Sequence, residues 1–336
     1  MTYSADEKAI IWLCACTDLE YRDRAARLRA VSRPSALLNE TRTAQADALL
    51  SELERKGRFA ITLLSDDYPE QLKGLPNPPF ALFGAGNRAL LKERMFCIVG
   101  SRITPPWAEK LAKLTAERLA SHYTIVTGLA EGGDRAAIEG AIPSGKLICV
   151  LPCGLDECYP AAHLSLKHRI EKGGLVLSEY PPKDKCRSFY FYARNRILAG
   201  LSEGVLVVSA GKRSGALMTA NLALENGKDV FAFPYNPGTK QGEGCNDLIK
   251  KGAYLASGAE DIFECAGIAE QTAVAEALTP EEEKVLDVLR ESGELHAAVI
   301  AERSGLQIFE AAATLASLEM KNLVVKAGGN RYTAIS

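Results

Sequence analysis

Six short β-rich runs recur through the middle of the chain: Phe96-Cys97-Ile98-Val99, Thr124-Ile125-Val126-Thr127, Leu147-Ile148-Cys149-Val150-Leu151, Leu175-Val176-Leu177, Val205-Leu206-Val207-Val208 and Val230-Phe231-Ala232-Phe233. Helical stretches separate them, and none of the runs alternates apolar with polar residues. A strand with one wet face must alternate, so continuous apolar strands interleaved with helices specify a parallel sheet covered on both faces. The expected fold class is therefore α/β, a Rossmann-like doubly wound, mainly parallel sheet. Ligands of such sheets sit at the carboxyl ends of the strands.

At 336 residues the chain is long enough for two or three domains. Before the sheet, Ala9 to Leu13, then Ala25, Leu28 and Val31, then Leu49, Leu50 and Leu53 form apolar helical faces, and strand signals are nearly absent. A Pro-rich connector with Pro69, Pro76, Pro78 and Pro79 follows. The expected division is a helical (SAM-like) domain over 1–67 and a Rossmann-like domain over 68–265 that includes this lead-in. An Ala-rich linker over 266–278 and a winged helix over 279–336 complete it. The last begins at Thr279-Pro280-Glu281-Glu282-Glu283, an N-cap, N1 proline and acidic first turn. Helices to about Arg290, over Leu295 to Arg303 and over Gln307 to Met320 then lead into a hairpin turning at Gly328-Gly329-Asn330.

Composition narrows the functional classes. No apolar stretch reaches membrane-span length, and the first residues lack the pattern of a signal peptide, so a cytoplasmic protein without membrane contact is expected. Nine cysteines, an odd count with Cys97 and Cys149 inside strand runs, read as reduced thiols. With a net charge of -2, attraction of nucleic acid has to come from a local patch. One candidate is the segment from Lys183 to Arg196, where Lys183, Lys185, Arg187, Arg194 and Arg196 stand against Asp184 alone.

The first of the six strands runs directly into Gly100-Ser101-Arg102-Ile103-Thr104-Pro105-Pro106. Gly100 allows close backbone approach, Ser101 offers a hydroxyl, Arg102 a forked cation, and Thr104-Pro105 a cap for a helix whose N-terminus favours anions. These are the components of a phosphate cradle. The turns Thr127-Gly128-Leu129-Ala130 and Ser209-Ala210-Gly211-Lys212-Arg213-Ser214-Gly215 bring further backbone N–H groups to the same sheet edge. A dinucleotide cofactor needs G-x-G-x-x-G here, and only its first glycine is present, so no cofactor is expected. Gly140 to Lys146 imitates a P-loop, but Leu147 replaces the required Ser or Thr and the segment precedes a strand. Cys153, Cys158, His163 and His168 lack metal-ligand spacing, and the four histidines have no evident nucleophile partner. The chemistry on offer is anion binding, without a metal or a catalytic group.

Taken together, the motifs resemble the DNA-processing protein A family (DprA, also called Smf). The resemblance runs through Tyr68-Pro69-Glu70-Gln71-Leu72, Ile98-Val99-Gly100-Ser101-Arg102, Thr127-Gly128-Leu129-Ala130, Gly154-Leu155-Asp156 with Tyr159-Pro160, and Ser178-Glu179-Tyr180-Pro181. It continues through Phe191 with Arg194-Asn195-Arg196-Ile197-Leu198-Ala199-Gly200-Leu201-Ser202, Ser214 to Ala220, and Gly244-Cys245-Asn246-Asp247-Leu248-Ile249. It implies single-stranded DNA binding in natural transformation, delivery of that strand to a RecA-type recombinase, and a homodimer. By motif, it implies that Gly100, Ser101 and Arg102 hold backbone phosphates, with Phe191, Arg194, Asn195 and Arg196 beside them; Gly128, Arg187, Ser214, Gly215 and Asn246 are further expected DNA- or phosphate-binding residues. Aromatics among cations supply a stacking surface for bases.

The chain departs from the family pattern at Gly133, Ile138, Tyr192 and Ser209, where the resemblance implies isoleucine, histidine, proline and glutamate. These departures mark a divergent member. The alternative class is a sensor or hydrolase for a nucleotide-derived small ligand on a related fold. Gln307 to Met320, the recognition segment of the winged helix, carries no Lys or Arg, which suits protein contact better than DNA reading.

Overall fold

A computed structural model describes residues 2–269 and 278–335. The chain opens with α1 (Ala5–Ala15), α2 (Tyr21–Arg29) and α3 (Glu40–Arg55). Ser4 starts α1 with a capping box, its hydroxyl accepting the Glu7 N–H while the Glu7 carboxylate accepts the Ser4 N–H. Trp12, Leu13 and Ala46 form a small core between helices, whereas Ile10, Ile11 and Cys14 pack into the main core.

The first 67 residues are not purely helical. β1 (Arg58–Thr62) follows α3, the short α4 (Glu70–Lys73) comes next, and β2 (Ala81–Gly86) lies inside the Pro-rich lead-in. The two strands pair antiparallel from Arg58↔Ala85 to Thr62↔Ala81 and join the main sheet, so the sheet begins before residue 68. Short apolar runs such as Phe59-Ala60-Ile61 and Ala81-Leu82-Phe83 are compatible with helix or strand until a partner edge selects one. Here that edge is supplied by a strand ending at Ser178.

The Rossmann-like unit continues with β3 (Met95–Val99), α5 (Pro106–Leu119), β4 (Thr124–Thr127), α6 (Gly133–Ala141), β5 (Leu147–Leu151) and α7 (Leu164–Gly173). Then come β6 (Leu175–Ser178), α8 (Ser188–Leu201), β7 (Gly204–Val207), α9 (Gly215–Glu225), β8 (Asp229–Ala232), α10 (Glu243–Lys250), β9 (Tyr254–Leu255) and α11 (Ala259–Cys265). The nine strands lie in the order β1-β2-β6-β5-β4-β3-β7-β8-β9, all parallel from β6 to β9. Every residue of β3, β5 and β7 is buried, as expected for strands covered on both faces. From β3 the chain builds outward to β6, then returns to place β7 on the other side of β3. The switch point between β3 and β7 opens the crevice in which such sheets bind ligands.

The C-terminal unit comprises α12 (Pro280–Ser292), β10 (Leu295–His296), α13 (Ala297–Ser304), α14 (Ile308–Met320), β11 (Val324–Ala327) and β12 (Arg331–Ala334), a winged helix with its own core around Val285, Leu289, Ile300, Leu315 and Leu318. Leu295-His296 is a third strand paired with β12, where the sequence pattern suggests the start of a helix. Of the expected linker, residues 270–277 lie outside the described residues. Among the described residues, no helix is long and apolar enough to cross a membrane.

Candidate nucleic-acid interface

At the switch point a cleft of about 570 Å³ opens between the turn after β3, the loop after β7 and one face of α8. It brings together eight residues expected from sequence: Gly100, Ser101, Arg102, Phe191, Arg194, Asn195, Ser214 and Gly215. Their roles are divided between building the cleft and facing into it.

The turn is fastened from behind. Ser101 donates its N–H to the Ser209 carbonyl at 2.9 Å, and the Ser209 hydroxyl lies 2.9 Å from the Ser101 hydroxyl and 2.7 Å from that of Thr104. Thr104 also donates to the Ser101 carbonyl at 2.9 Å, while Pro105 takes the N-cap position of α5. Thr104 thus closes the turn instead of capping the helix as expected. Ser209, one of the departures noted above, is fully buried and works as a clamp.

Gly100 is glycine for a packing reason. A Cβ there would lie 2.8 Å from the Gly133 Cα, so the second departure, Gly133, packs against the turn itself. The Gly100 N–H points to the Asp134 carboxylate at 3.3 Å, and the other carboxylate oxygen accepts the Ala130 N–H at 3.3 Å. Burial pushes the Asp134 pKa up; the nearby Arg194 guanidinium and the two N–H groups work against that rise. The Gly100 N–H is therefore engaged, and the unengaged N–H groups lie further along the turn. The N–H groups of Arg102 and Ile103 have no hydrogen-bond acceptor among the described residues. Across the cleft the N–H of Gly215 at the start of α9 is also free, with Ser214 as N-cap accepting from Ala216 at 3.3 Å. Free N–H groups at a helix start favour an anion.

The cations sort by depth. Arg194 is only 7% exposed; it donates to the Val150 carbonyl at 2.5 Å and to Asn195 Oδ1 at 3.1 Å. It braces the floor of the cleft. Arg102 stands at the mouth, its guanidinium 5.4 Å from the Tyr159 ring and 5.7 Å from the Phe191 ring, donating to the Tyr159 hydroxyl at 3.2 Å. Tyr159 and Phe191 meet edge to face at 5.2 Å. This cation over a pair of touching rings offers both charge and stacking surface. Lys212 and Arg213 face it from the loop after β7, exposed and without an ion-pair partner among the described residues.

Four expected residues lie elsewhere. Gly128 is buried below the cleft, where a Cβ would meet Asp134 Oδ2 at 2.4 Å and Arg194 Nη1 at 2.7 Å, so its contribution is room for that pair. Asn246 spends its amide on the backbone of Tyr235, accepting at 3.0 Å and donating at 2.8 Å. Arg187 lies 3.6 Å from Asp184, and Arg196 pairs with Glu179 at 2.6 Å; both line a second groove on the other side of α8. Lys183 pairs with Glu52 at 3.2 Å. The cationic run around residues 183–196 is therefore dispersed by carboxylates, Glu52 and Glu179 among them, that lie outside it in the chain. The residues that replace it at the mouth, Lys212, Arg213 and Tyr159, were visible only as parts of the Ser209 to Gly215 turn and of Tyr159-Pro160.

Residues 59–267 match the family described as DNA recombination-mediator protein A, and residues 269–330 match the DprA winged helix domain. The chain is 41% identical over 219 residues to DNA processing protein DprA of Streptococcus pneumoniae, covering 65% of this chain and 77% of that protein. It is 40% identical over 221 residues to protein Smf of Escherichia coli, covering 65% and 59%. Among solved structures, it is similar to the X-ray structure of DNA processing protein A from Streptococcus pneumoniae, with TM-score 0.64, 34% identity and coverage of 79% of this chain and 98% of that one. It is also similar to DNA processing protein A from Helicobacter pylori, whose structure describes a single-stranded DNA binding mode, with TM-score 0.56, 31% identity and coverage of 62% and 95%.

Proposed function

The chain belongs to the DNA recombination-mediator protein A (DprA/Smf) family of DNA-processing proteins, and on that premise we propose that its switch-point cleft binds single-stranded DNA. The observation that carries this reading is the Arg102 guanidinium set over the touching Tyr159 and Phe191 rings. Beside it are the free N–H groups of the turn and the exposed Lys212 and Arg213. Phosphates fit the N–H groups and cations, and bases fit the rings irrespective of sequence. The binding mode named for the Helicobacter pylori relative supports the same ligand.

The cleft presents N–H donors, cations and ring faces, and the role we assign to it is to hold a strand. Protection of incoming DNA and its transfer to a RecA-type recombinase in natural transformation, in the cytoplasm, are the family-level role we assign. A homodimer is part of this reading. The edge strand β9 exposes about half of Tyr254 and Leu255, which suits a second copy better than water.

The test is a titration with single-stranded and duplex DNA at several salt concentrations. Neutralising about four phosphates of a single strand predicts a log affinity against log salt slope near -3. Salt-independent affinity, or a preference for duplex, would overturn the proposal. The cleft volume also suits a nucleotide-sized ligand. Thermal shift with mononucleotides against oligonucleotides separates the two readings, because a strand site gains stabilisation with ligand length.

A further inference from the structure

A second groove, about 810 Å³, runs along the opposite face of α8 where the N-terminal helices pack against it. Its outer wall carries two aromatic rings in water, Phe189 at 61% and Tyr192 at 60% exposure. Phe189 meets Tyr190 edge to face at 4.7 Å, and the two exposed rings together give the groove an apolar rim of the kind that marks a binding surface. Its inner wall carries two guanidinium groups with unused donors. Arg24 gives one N–H to the Cys16 carbonyl at 3.0 Å while its buried Nε has no acceptor, and Arg196 reaches Glu179 while its buried Nη1 has none. Those two nitrogens are closed to solvent, so what the pair gives the groove is positive charge on its inner wall, set against Glu179. Arg187, its side chain about half exposed, adds charge at the rim.

The groove and the switch-point cleft share α8. Phe191 turns to the cleft, while Phe189 and Tyr192, its neighbours along the helix, turn to the groove. The first turn of α8 lies between them and has no side-chain cap on its N–H groups, so it offers an anion-favouring bridge. Resting on the proposed single-strand binding, the geometry points to the groove as a second subsite for the same strand. Bases stack on Phe189 and Tyr192, and phosphates meet the half-exposed Arg187 at the rim. The N-terminal helices thereby become part of the DNA path.

The test compares wild type, the double variant Phe189→Ala with Tyr192→Ala, and Arg102→Ala, using fluorescence anisotropy on oligo-dT from about 4 to about 20 nucleotides, a range that brackets common site sizes. The two rings are exposed, so their removal leaves the fold intact. The double variant should match wild type on the shortest oligonucleotides and bind the longest about tenfold more weakly. Arg102→Ala should weaken binding at every length. Equal affinity of the double variant and wild type at all lengths overturns the second subsite while leaving the cleft reading in place; that is also the outcome if the groove receives a protein. A loss that is the same at every length overturns it too, since the rings would then serve the first cleft. Wild type binding no oligonucleotide overturns both.

Discussion

Ser101 and Ser209, 108 residues apart in the chain, are joined backbone to backbone and hydroxyl to hydroxyl at 2.9 Å, tying the end of β3 to the loop after β7. This tie holds the Gly100 turn open at the switch point. Ser209→Ala removes the hydroxyl that Ser101 and Thr104 share, while Ser101 keeps the Ile103 carbonyl and Thr104 the Ser101 carbonyl. The expected cost is about 0.5–1.5 kcal/mol of stability in urea unfolding. Single-strand affinity should fall with it, because the turn loses its fixed geometry.

Arg102→Ala should behave differently. Its guanidinium is exposed, with a hydroxyl and two rings for company and no carboxylate, so the melting temperature should stay close to wild type. Affinity for oligo-dT should drop about tenfold or more, with the salt slope shallower by about 0.7 for the one phosphate that is no longer neutralised. Anisotropy titrations across a salt series measure both.

Lys212 and Arg213 provide an independent check on the cleft. Replacing both with alanine should flatten the salt slope by about 0.7 for each phosphate released, with no change in the unfolding midpoint. An unchanged slope would place the strand away from the loop after β7.

Gly128→Ala should be a stability variant. The added methyl would press on the Asp134 carboxylate and the Arg194 guanidinium together, and overpacking a tight site costs about 1–3 kcal/mol. Chemical unfolding should show the reduced stability at low salt and high salt alike, unlike the binding variants.

The C-terminal unit carries an acid-sensitive pair. Hydrogen bonds from Lys321 and Ser317 and from the Thr279 N–H hold the Glu282 carboxyl at about 2, well below the usual glutamate range. A depressed carboxylate stabilises the fold above its ordinary pKa, and that contribution is lost as pH falls toward 2. Methyl NMR of Leu286 and Leu315 should therefore show the winged helix loosening between about pH 4.5 and pH 2. Glu282→Gln should flatten that dependence. Asp134 has the opposite sign, since its raised pKa makes the fold lose stability as pH rises through the aspartate range.

Much of the architecture was legible in sequence because it depends on local pattern. Non-alternating apolar runs announce a sheet buried on both faces, and the turns that follow its strands announce the ligand edge. The Thr279-Pro280 start and the Gly328-Gly329-Asn330 turn announce the C-terminal unit. β1 and β2 escaped because a short apolar run has no preference of its own until a neighbouring edge pairs with it.

Which charges are free emerged only on folding. Arg187, Arg194 and Arg196 read as one basic wall, yet Asp184 lies 3.6 Å from the first, burial beside Asp134 and the Val150 carbonyl takes the second, and Glu179 takes the third. A cation left in the open is Arg102, placed over Tyr159 and Phe191, two touching rings that are 32 residues apart in the chain. A residue's charge is a property of its type, but whether that charge is neutralised or presented depends on partners brought near by folding. Sequence therefore located the cleft, and packing determined which side chains face into it.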